Sequence, residues 1–530
     1  MKLTLEGIKD KAKWESANIR LSEYDVNAVK KKTAENPEWV HFGAGNIFRG
    51  FIGSISQKLL NNGLADTGII AVETFDFDII DKIYEPYDSL TLNVMMDRSS
   101  NLDMEVLAGV TEGVKVDDYA RLSEFAKNPS LKMISYTITE KGYGIYASNG
   151  EFMDVVKSDI ANGPKEAKHA MSITAYMLYE RFKAGKYPLA VVSMDNCSRN
   201  GEKLGKSVMT IAEEWVRNGK AEAEFLDYLK ESVTFPWSMI DKITPRPSDK
   251  VKNELNKIGV EDMESVVTSK NTYIAPFVNA EIPQYLVVED NFPNGRSRLE
   301  EAGVYMTTRE TVNKSETMKV TTCLNPLHTA LAVFGCLLCY DAIWEEMQDS
   351  ELNNLVYKIA DEGMKVVINP EIIDPNEFVK EVIEERLPNP NIPDTPQRIA
   401  TDTSQKLGIR YGETIKSYIK SDNLDVKELI AIPMAIAGWL RYLIGVDDNG
   451  KEFTRSSDPR LDELTQKLSG VTLGNSDSVN GKLEDILSDK SIFGVDLYEA
   501  GLAEKIENNL KSMLIGIGAV RDTLKGGMAK

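Results

Sequence analysis

Three polar side chains open a long apolar run near the middle of the chain. Lys319, Asn325 and His328 lie within the segment KVTTCLNPLHTALAVFG. Oxidation of an alcohol by hydride transfer needs a base for the hydroxyl proton and donors that polarise the oxygen. A lysine whose pKa is lowered by burial can be that base, and an amide and an imidazole can be the donors. The structural alternative is that Asn325 caps a helix and the histidine has no chemical role.

A glycine turn near the N-terminus has the residue types of a phosphate-binding loop. The segment Trp39–Phe42 is predicted to be a strand that leads into Gly43-Ala44-Gly45. A predicted helix follows from Asn46. The first glycine permits a tight turn, the second lets a pyrophosphate approach the backbone, and the helix N-terminus attracts its charge. Phe48 replaces the third glycine of G-x-G-x-x-G. The pattern predicts a dinucleotide-binding turn.

An acidic residue ends the next predicted strand. Ile69–Val72 is followed by Glu73, at a position from which a carboxylate can bond a ribose hydroxyl. Asp76 and Asp78 follow, and no cation appears before Lys82. Such acidity would repel a 2′-phosphate, so the sequence favours NAD over NADP. The alternative is that these acids form a solvated loop.

Two further polar clusters adjoin apolar segments. Asn196 follows the predicted strand Leu189–Met194, where open parallel sheets bind ligands beyond their strand ends. Its alternative is a turn in which the side chain bonds its own backbone. Asp241 is bracketed by Ile240 and Ile243, which indicates burial with a cation in a functional or a structural role.

The predicted secondary structure that must position these residues differs between the two halves of the chain. Short strands alternate with helical segments over the first 300 residues, which predicts βαβ units and a parallel sheet. The predicted strands are Trp39–Phe42, Ile69–Val72, Met133–Thr139 and Leu189–Met194. The predicted helices after residue 310 are Asn325–Met347, Leu352–Val367, Glu377–Arg386, Val426–Leu443 and Ala503–Leu524. We expect an α/β domain over 1–305 and a mostly helical domain over 306–530.

Composition excludes several classes of protein. The 530 residues carry 62 basic and 82 acidic side chains, a net charge of −20, which disfavours binding to nucleic acids or anionic membranes. The longest uncharged apolar stretches reach about a dozen residues, whereas a membrane span needs about 20. Four cysteines and three histidines show no metal-like spacing. We expect a cytoplasmic enzyme that holds no metal.

Eight segments in series carry a resemblance to a known family. They are HFGAGNIFRG, TITEKGY, SMDNCSRNG, FPWSMIDKITP, YLVVEDNFPNGR, the stretch Glu316–His328 with HTALAVFG, RIATDTSQK and GWLRYLIGVDDNG. In this order they resemble the polyol-specific long-chain dehydrogenases, the mannitol dehydrogenase family. That group also contains fructuronate and tagaturonate reductases.

The resemblance implies an N-terminal Rossmann-type domain, a helical C-terminal domain, a cleft between them, and metal-free catalysis with NAD. By resemblance, Lys319 is the general acid/base, Asn196 and Asn325 hold the reacting oxygen, His328 orients the substrate, and Glu316 moves protons. The implied substrate contacts are Asp241, Arg398 and Lys406. The cofactor contacts expected from the turn, the acid and the resemblance are Gly43, Gly45, Asn46, Ile47, Phe48, Glu73, Thr139 and Glu140.

The chain departs from the family pattern at one spacing. Family members place four residues between the lysine and the asparagine, whereas five separate Lys319 from Asn325. In a continuous α-helix the family's eight-residue step from lysine to histidine leaves the two within about 80°, but nine residues place them about 180° apart. Either a π-bulge or a non-helical start must absorb the extra residue. We favour Lys319 on an extended segment, with Asn325 as cap and Pro326 at the first helical position.

Two other positions differ and bear on the substrate. Ile47 and Phe48 replace an aromatic residue and a histidine, and Trp237 replaces a common asparagine. The leading hypothesis is interconversion of D-mannonate and D-fructuronate, with cations of the segment 398–410 pairing with the carboxylate. Mannitol–fructose and altronate–tagaturonate interconversion are the close alternatives. An epimerase, or a relative that binds NAD and sugar without dehydrogenase activity, is the remote one. The oligomeric state stays open.

Overall fold

The computed structural model describes residues 1–528 and divides the chain into two compact units. The first consists of Met1–Met96 and Ser100–Asn313, and the second of Asp97–Ser99 and Lys314–Lys530. Every strand of the described residues belongs to the first unit. The strands are β1 Ile19–Arg20, β2 Trp39–Phe42, β3 Ile69–Glu73, β4 Thr91–Met96, β5 Leu102–Leu107, β6 Val110–Lys115, β7 Met133–Tyr136, β8 Leu189–Ser193, β9 Val233–Thr234, β10 Ser238–Asp241, β11 Val266–Val267, β12 Tyr273–Ile274, β13 Phe277–Glu281, β14 Tyr285–Glu289 and β15 Tyr305–Thr307.

A six-stranded sheet of order β6-β3-β2-β7-β8-β9 is the centre of the first unit. All its pairs are parallel. Counted along the chain within this sheet, the order is 3-2-1-4-5-6, which is that of a Rossmann fold. The predicted α/β class and parallel sheet are confirmed. The order reverses between β2 and β7, so the crevice beyond their carboxyl ends is where this fold binds its ligands.

Both faces of this sheet are buried, which explains why its strands are continuous apolar runs. Val40 and Phe42 of β2 face one hydrophobic core, and Trp39 faces the other. The helices that cover the faces or precede them are α1 Lys11–Ser16, α2 Val26–Glu35, α3 Gly53–Asn61, α4 Tyr119–Lys127, α5 Asp154–Asn162, α6 Ala170–Gly185, α7 Asn200–Arg217, α8 Glu224–Ser232 and α9 Asp249–Lys257. Three smaller sheets, of orders β1-β5-β4-β13, β10-β14-β15 and β11-β12, complete the unit.

The described residues of the second unit form helices joined by turns and loops, with no strand among them. Its helices are α10 Arg309–Met318, whose first turns belong to the first unit, then α11 Asn325–Leu338, α12 Ile343–Glu346, α13 Ser350–Met364, α14 Pro375–Glu381, α15 Pro396–Ile399, α16 Glu413–Lys420, α17 Ala431–Leu443, α18 Leu461–Lys467, α19 Glu484–Leu487, α20 Lys490–Phe493, α21 Ala503–Met513 and α22 Ala519–Met528. Every residue of α17 is buried. The helical C-terminal domain is confirmed.

Four predicted helices are shorter in the structure. The one predicted over Leu352–Val367 ends at Met364, and the one predicted over Val426–Leu443 begins as an α-helix at Ala431. The helix predicted over Asn325–Met347 ends at Leu338, because Cys339 adopts a left-handed conformation with φ +64°. The helix predicted over Ala503–Leu524 is two helices, with Gly518 at φ +79° just before the second begins. These last two breaks each contain a residue with positive φ, at which the helical hydrogen-bond pattern stops. The spacing of apolar residues in the sequence does not reveal such a residue.

One helical stretch, Arg309–Leu338, is long and apolar enough to cross a membrane by length and composition. The structure buries 78% of its most apolar window inside the protein. That burial is what the central helix of a globular unit requires, since its apolar faces need neighbours.

Five π-helical turns interrupt or extend the helices of the described chain. They cover Phe48–Ile52, Ile80–Tyr84, Lys319–Cys323, Val382–Arg386 and Gly408–Gly412. A π turn closes its hydrogen bonds over five residues instead of four, so each accommodates one extra residue. Such turns recur at functional sites.

Candidate active site

The glycine turn after β2 has the geometry that its sequence predicts. Gly43 has φ +104°, and a Cβ there would lie 2.2 Å from the carbonyl oxygen of Thr137. Only glycine fits this position, because a side chain would collide with the neighbouring backbone. A Cβ on Gly45 would meet no atom within 4 Å. The chain therefore leaves open space beside Gly45, at the end of the sheet where Rossmann folds bind the pyrophosphate of a dinucleotide.

The helix after this turn begins with Asn46 and Ile47 and continues through the π turn Phe48–Ile52. Phe48, which replaces the third glycine, is fully buried, and its ring stacks on His41 at 4.2 Å between centroids. Its side chain therefore packs in the core of the unit. Asn46 accepts a hydrogen bond of 2.8 Å from Arg49, which fixes the amide at the start of the helix.

The carboxylate of Glu73 ties the ends of two central strands together. Its Oε2 accepts a bond of 2.9 Å from the N–H of Ala44 in the glycine turn. Its Oε1 accepts bonds from the N–H groups of Phe75 and Asp76 at 2.9 and 3.1 Å. Each carboxylate oxygen has two lone pairs, so Oε2 keeps one for a further donor. Glu73 thus shapes the turn and retains one acceptor position.

Asp195 is a site residue that sequence reasoning did not select. It accepts bonds from the N–H groups of Ile138 and Thr139 at 2.8 and 3.1 Å, and one of 2.6 Å from the hydroxyl of Tyr143. Burial raises the pKa of Asp195 above its usual value, although these three donors oppose the shift. The signal in the sequence was its position directly before Asn196, at the end of β8.

The bonds to Asp195 hold Thr139 in a strained backbone conformation. Thr139 has φ +66° and ψ 159°, a region that is populated almost only by glycine. It lies three residues beyond the end of β7, so the predicted strand Met133–Thr139 is too long. Strain of this kind persists only where the surroundings enforce it, and it concentrates at ligand sites. The neighbouring Glu140 is exposed and pairs with Lys203.

Asn196 and Asp241 lie on two elements that one buried amide joins. Asn196 is exposed in the turn after β8, and Asp241 is the buried last residue of β10. The side chain of Asn200 donates to the carbonyl oxygens of Asp195 and Ser238, each at 3.0 Å. Asn200 itself is fully buried. The turn that carries Asn196 is thereby fixed to β10, whose end carries Asp241.

In the second unit a π turn carries the predicted lysine. Lys319 begins the π turn Lys319–Cys323, in which the N–H of Leu324 donates to the carbonyl of Lys319 at 3.1 Å. Our favoured prediction, that Lys319 lies on an extended segment, is wrong, and the π-bulge alternative is correct. In regular helical geometry, a turn that takes up one extra residue reduces the nine-residue step to His328 to eight α-helical residues, or about 80°.

The helix with the asparagine and the histidine begins directly after this turn. α11 starts at Asn325 with Pro326 in its first turn, as predicted, but its cap residue is Leu324 and not Asn325. The side chain of Asn325 forms no capping bond there, so the amide is not used by the helix end. Glu316 precedes Lys319 by one turn on α10.

The side chain of Lys319 is buried, with 1% of its surface exposed.

His328 contacts an acid that the sequence analysis missed. Its Nε2 lies 3.2 Å from Oδ2 of Asp394, within ion-pair distance but outside the angle of a hydrogen bond. Oδ1 of Asp394 accepts a hydrogen bond of 2.8 Å from Nε of Arg398 and lies 2.6 Å from its Nη2 in an ion pair. Burial opposes the ionised form, yet the contacts with His328 and Arg398 lower the pKa of Asp394. Asp394 precedes Arg398 by four residues, a helical spacing that was the available signal.

Two further cations follow Arg398 along the chain. The ammonium of Lys406 donates to the carbonyl of Thr401, and burial together with the charge of Arg410 lowers its pKa. Arg410 lies in the π turn Gly408–Gly412 and donates to the hydroxyl of Thr329, the residue after His328. Burial lowers the pKa of Arg410 to about 10, so it is charged at neutral pH.

Each unit therefore brings its own share of the predicted residues together. The first unit collects the glycine turn, Glu73, Thr139, Glu140 and Asn196 at the carboxyl edge of one sheet. The second collects Glu316, Lys319, Asn325 and His328 along one interrupted helix and joins His328 to Arg398 through Asp394. No group of three or more His, Cys, Asp or Glu side chains in the described residues is arranged to hold a metal ion.

Comparison with protein families gives a match over both units. The model of the mannitol dehydrogenase Rossmann domain matches residues 37–301, and that of the mannitol dehydrogenase C-terminal domain matches residues 311–514. The chain belongs to the mannitol dehydrogenase family. The resemblance found in the sequence is thus confirmed, and this family member is an oxidoreductase.

Individual relatives extend over nearly the whole chain. D-mannonate oxidoreductase of Thermotoga maritima is 53% identical over 531 residues, covering 99% of this chain and 98% of the relative. Among solved structures, mannitol 2-dehydrogenase of Pseudomonas fluorescens, in ternary complex with NAD and D-mannitol, is 25% identical with a TM-score of 0.73 and full coverage of both chains. D-sorbitol dehydrogenase in substrate-free form is 26% identical, with a TM-score of 0.78 and coverage of 95% and 97%.

Proposed function

We propose that this family member is an NAD-dependent oxidoreductase that interconverts D-mannonate and D-fructuronate. The observation that carries the proposal is the 53% identity, over nearly the entire length of both chains, to D-mannonate oxidoreductase of Thermotoga maritima. The presence of Lys319, Asn325 and His328 on one interrupted helix supports it, because alcohol oxidation needs a base and oxygen-polarising donors.

The residues around the glycine turn fit NAD. The space beside Gly45 accepts a close backbone approach, which a pyrophosphate requires. Oε2 of Glu73 keeps an acceptor position for a ribose hydroxyl, and its negative charge disfavours a 2′-phosphate. Asp76, which is also buried, adds to that charge. When bound, NAD accepts the hydride that leaves the alcohol carbon.

The chain's own residues handle the proton and the oxygen. Lys319, as a neutral amine, takes the hydroxyl proton during oxidation and returns it during reduction. Asn196 and Asn325 donate hydrogen bonds to the reacting oxygen, where negative charge develops. His328 orients the substrate, and its ring is held by Asp394. Glu316, one turn before the lysine, passes the proton onward.

We assign the cofactor to the domain 1–305 and the lysine with its helical surroundings to the domain 306–530. Thr139 and Glu140 are assigned to the nicotinamide end of the cofactor site, and Asp241, Arg398 and Lys406 to the rest of the substrate. We further propose that the enzyme works in the cytoplasm, where the NAD pool and free sugar acids are found.

Oxidoreduction of a neutral polyol is the second candidate. The Pseudomonas fluorescens relative is a mannitol 2-dehydrogenase crystallised with D-mannitol, and its fold is shared over the full chain. Its identity of 25% is half that of the mannonate enzyme, so the sugar acid is preferred.

A substrate panel tests both candidates. The purified chain is assayed with NAD and with NADP against D-mannonate, D-altronate, D-mannitol and D-sorbitol, and with NADH against D-fructuronate, D-tagaturonate and D-fructose. Absorbance of the reduced nicotinamide is the readout. We expect the highest kcat/KM for the mannonate–fructuronate pair with NAD. A preference for mannitol selects the second candidate, and no turnover on any member overturns the dehydrogenase proposal.

A further inference from the structure

Three cations, Arg398, Lys406 and Arg410, lie between residues 398 and 410, and the structure distinguishes them by their partners. The guanidinium of Arg398 is paired with the carboxylate of Asp394 by one hydrogen bond and an ion pair, and its side chain is 68% exposed. It already has a carboxylate partner, so it gains little from a second. Its position fixes the acid beside His328.

Arg410 differs because it has no acidic partner among the described residues. Its one side-chain bond goes to the neutral hydroxyl of Thr329, and its Nε is buried without a hydrogen-bond acceptor. A guanidinium has five N–H donors, and a buried charge without compensation is costly. The buried guanidinium of Arg410 therefore requires an anion to neutralise its charge.

The backbone around Arg410 directs it to the helix that carries the catalytic candidates. The hydroxyl of Tyr411 donates to the carbonyl of Pro326 at 2.9 Å, which fixes the π turn Gly408–Gly412 against the first turn of α11. Thr329, the contact of Arg410, directly follows His328. The guanidinium is therefore anchored one residue along the chain from the substrate-orienting histidine.

Lys406 adds a second positive charge on the same side. The N–H of Arg410 donates to the carbonyl of Lys406 at 3.0 Å, so the two residues are one helical turn apart and share a face. The proximity of Arg410 contributes to the lowered pKa of Lys406, which records repulsion between the two cations. A bound anion relieves that repulsion.

We infer that Arg410, assisted by Lys406, binds the carboxylate of the sugar acid and so makes the enzyme select hexonates over hexitols. This inference rests on the proposed function, since it names the residue that recognises the group by which D-fructuronate differs from D-fructose. Arg398, assigned above to the rest of the substrate, is already paired with Asp394 and does not supply the charge that selects the acid.

The test compares an acidic and a neutral sugar in variants of one arginine. Arg410→Gln removes the charge, Arg410→Lys keeps the charge but loses the planar fork, and wild type is the reference. D-Fructuronate and D-fructose are reduced with NADH, and D-mannonate and D-mannitol binding is measured by calorimetry. We expect Arg410→Gln to raise KM for D-fructuronate about 10- to 100-fold and to change kcat/KM for D-fructose less than 3-fold. Arg410→Lys should recover part of the lost preference.

A matched control removes another guanidinium of the same unit. Arg455 donates to the carbonyl of Leu443 and to the hydroxyl of Thr465 at 2.6 and 2.9 Å, again without an acid. Arg455→Gln should leave the preference for D-fructuronate over D-fructose unchanged. Unchanged NADH binding and melting temperature in Arg410→Gln establish that the variant is folded.

The outcomes separate this inference from the proposed function. If wild type reduces D-fructuronate and Arg410→Gln loses activity equally on both sugars, or loses none, the role of Arg410 is overturned and the proposed function stands. If wild type neither binds D-mannonate nor reduces D-fructuronate, both are overturned.

Discussion

Oδ2 of Asp394 lies 3.2 Å from Nε2 of His328, while Oδ1 of the same carboxylate accepts a hydrogen bond from Arg398 and forms an ion pair with it. The acid therefore links two residues that the sequence assigned to separate tasks. A buried carboxylate beside an imidazole holds the ring in one orientation. The histidine's position relative to a substrate is set by this contact, and the arginine keeps the carboxylate in place.

Replacing Asp394 by Asn tests this link. The substitution retains the size of the side chain but removes the charge that orients His328, so we expect kcat to fall about 100-fold through misplacement of the ring. Arg398→Gln should give a smaller loss in the same direction. An Asp394→Asn variant with wild-type kcat would contradict an orienting role.

The same acid predicts a dependence of stability on pH. Because its pKa is lowered in the folded state, Asp394 stabilises the protein above the pKa of the unfolded chain, about 4, and this contribution is lost as the pH falls through the lower folded value. We expect Asp394→Asn to unfold more easily than wild type at pH 7, by about 1–2 kcal/mol. The difference should shrink toward pH 3 in urea titrations, and a constant difference would exclude this cause.

The two glycines of the turn predict opposite outcomes. Gly43→Ala places a Cβ 2.2 Å from the Thr137 carbonyl at a φ of +104°, so we expect a lower melting temperature. Gly45→Ala meets no atom within 4 Å and should leave the melting temperature unchanged. Its methyl group would occupy the space assigned to the pyrophosphate, so NADH binding, measured by fluorescence, should weaken at least about 10-fold. Unchanged NADH affinity in Gly45→Ala would show that the cofactor does not bind at this turn.

The general base is tested by Lys319→Ala. Loss of the amine should lower kcat at neutral pH by at least about 100-fold and leave NADH binding within about 2-fold, since the residue handles a proton and not the cofactor. The matched variant Lys314→Ala, which removes a lysine of the preceding helix, should retain activity. Full activity in Lys319→Ala would place the base elsewhere.

A deletion tests the π turn. Removing Val320 shortens the step from Lys319 to His328 to eight residues, for which a continuous α-helix gives nearly the same angular separation of about 80°. We expect this variant to fold and to retain measurable activity. Inserting an alanine after Val320 adds about 100° of rotation and should abolish activity. If both variants fold and both are equally inactive, the angle between Lys319 and His328 around the helix does not determine activity.

The strands of the sheet and the glycine turn were predictable because both have local causes. β2 is buried on both faces, so its four residues are all apolar or hydrogen-bonded, and its bounds were predicted without error. The conformation of Gly43 follows from residue type and position. The close approach of Gly43 to Thr137 was not predicted, because the two residues are 94 positions apart in the sequence.

The features that escaped prediction depend on distant parts of the chain. Asp394 meets His328 across 66 residues, and no local pattern relates the two. The π turn at Lys319 has no composition of its own, because a wider turn is enforced by packing around it. The strained backbone of Thr139 likewise depends on Asp195, which lies 56 residues later on another strand end.

The π turn at Lys319 also affects how relatives of this enzyme are recognised. A search pattern that requires exactly four residues between the lysine and the asparagine would miss this chain, although the wider turn takes up the extra residue. Patterns with a gap of four or five residues would retrieve both types of sequence. The length of this gap then becomes a marker by which branches of the family can be sorted and their preferred sugars compared.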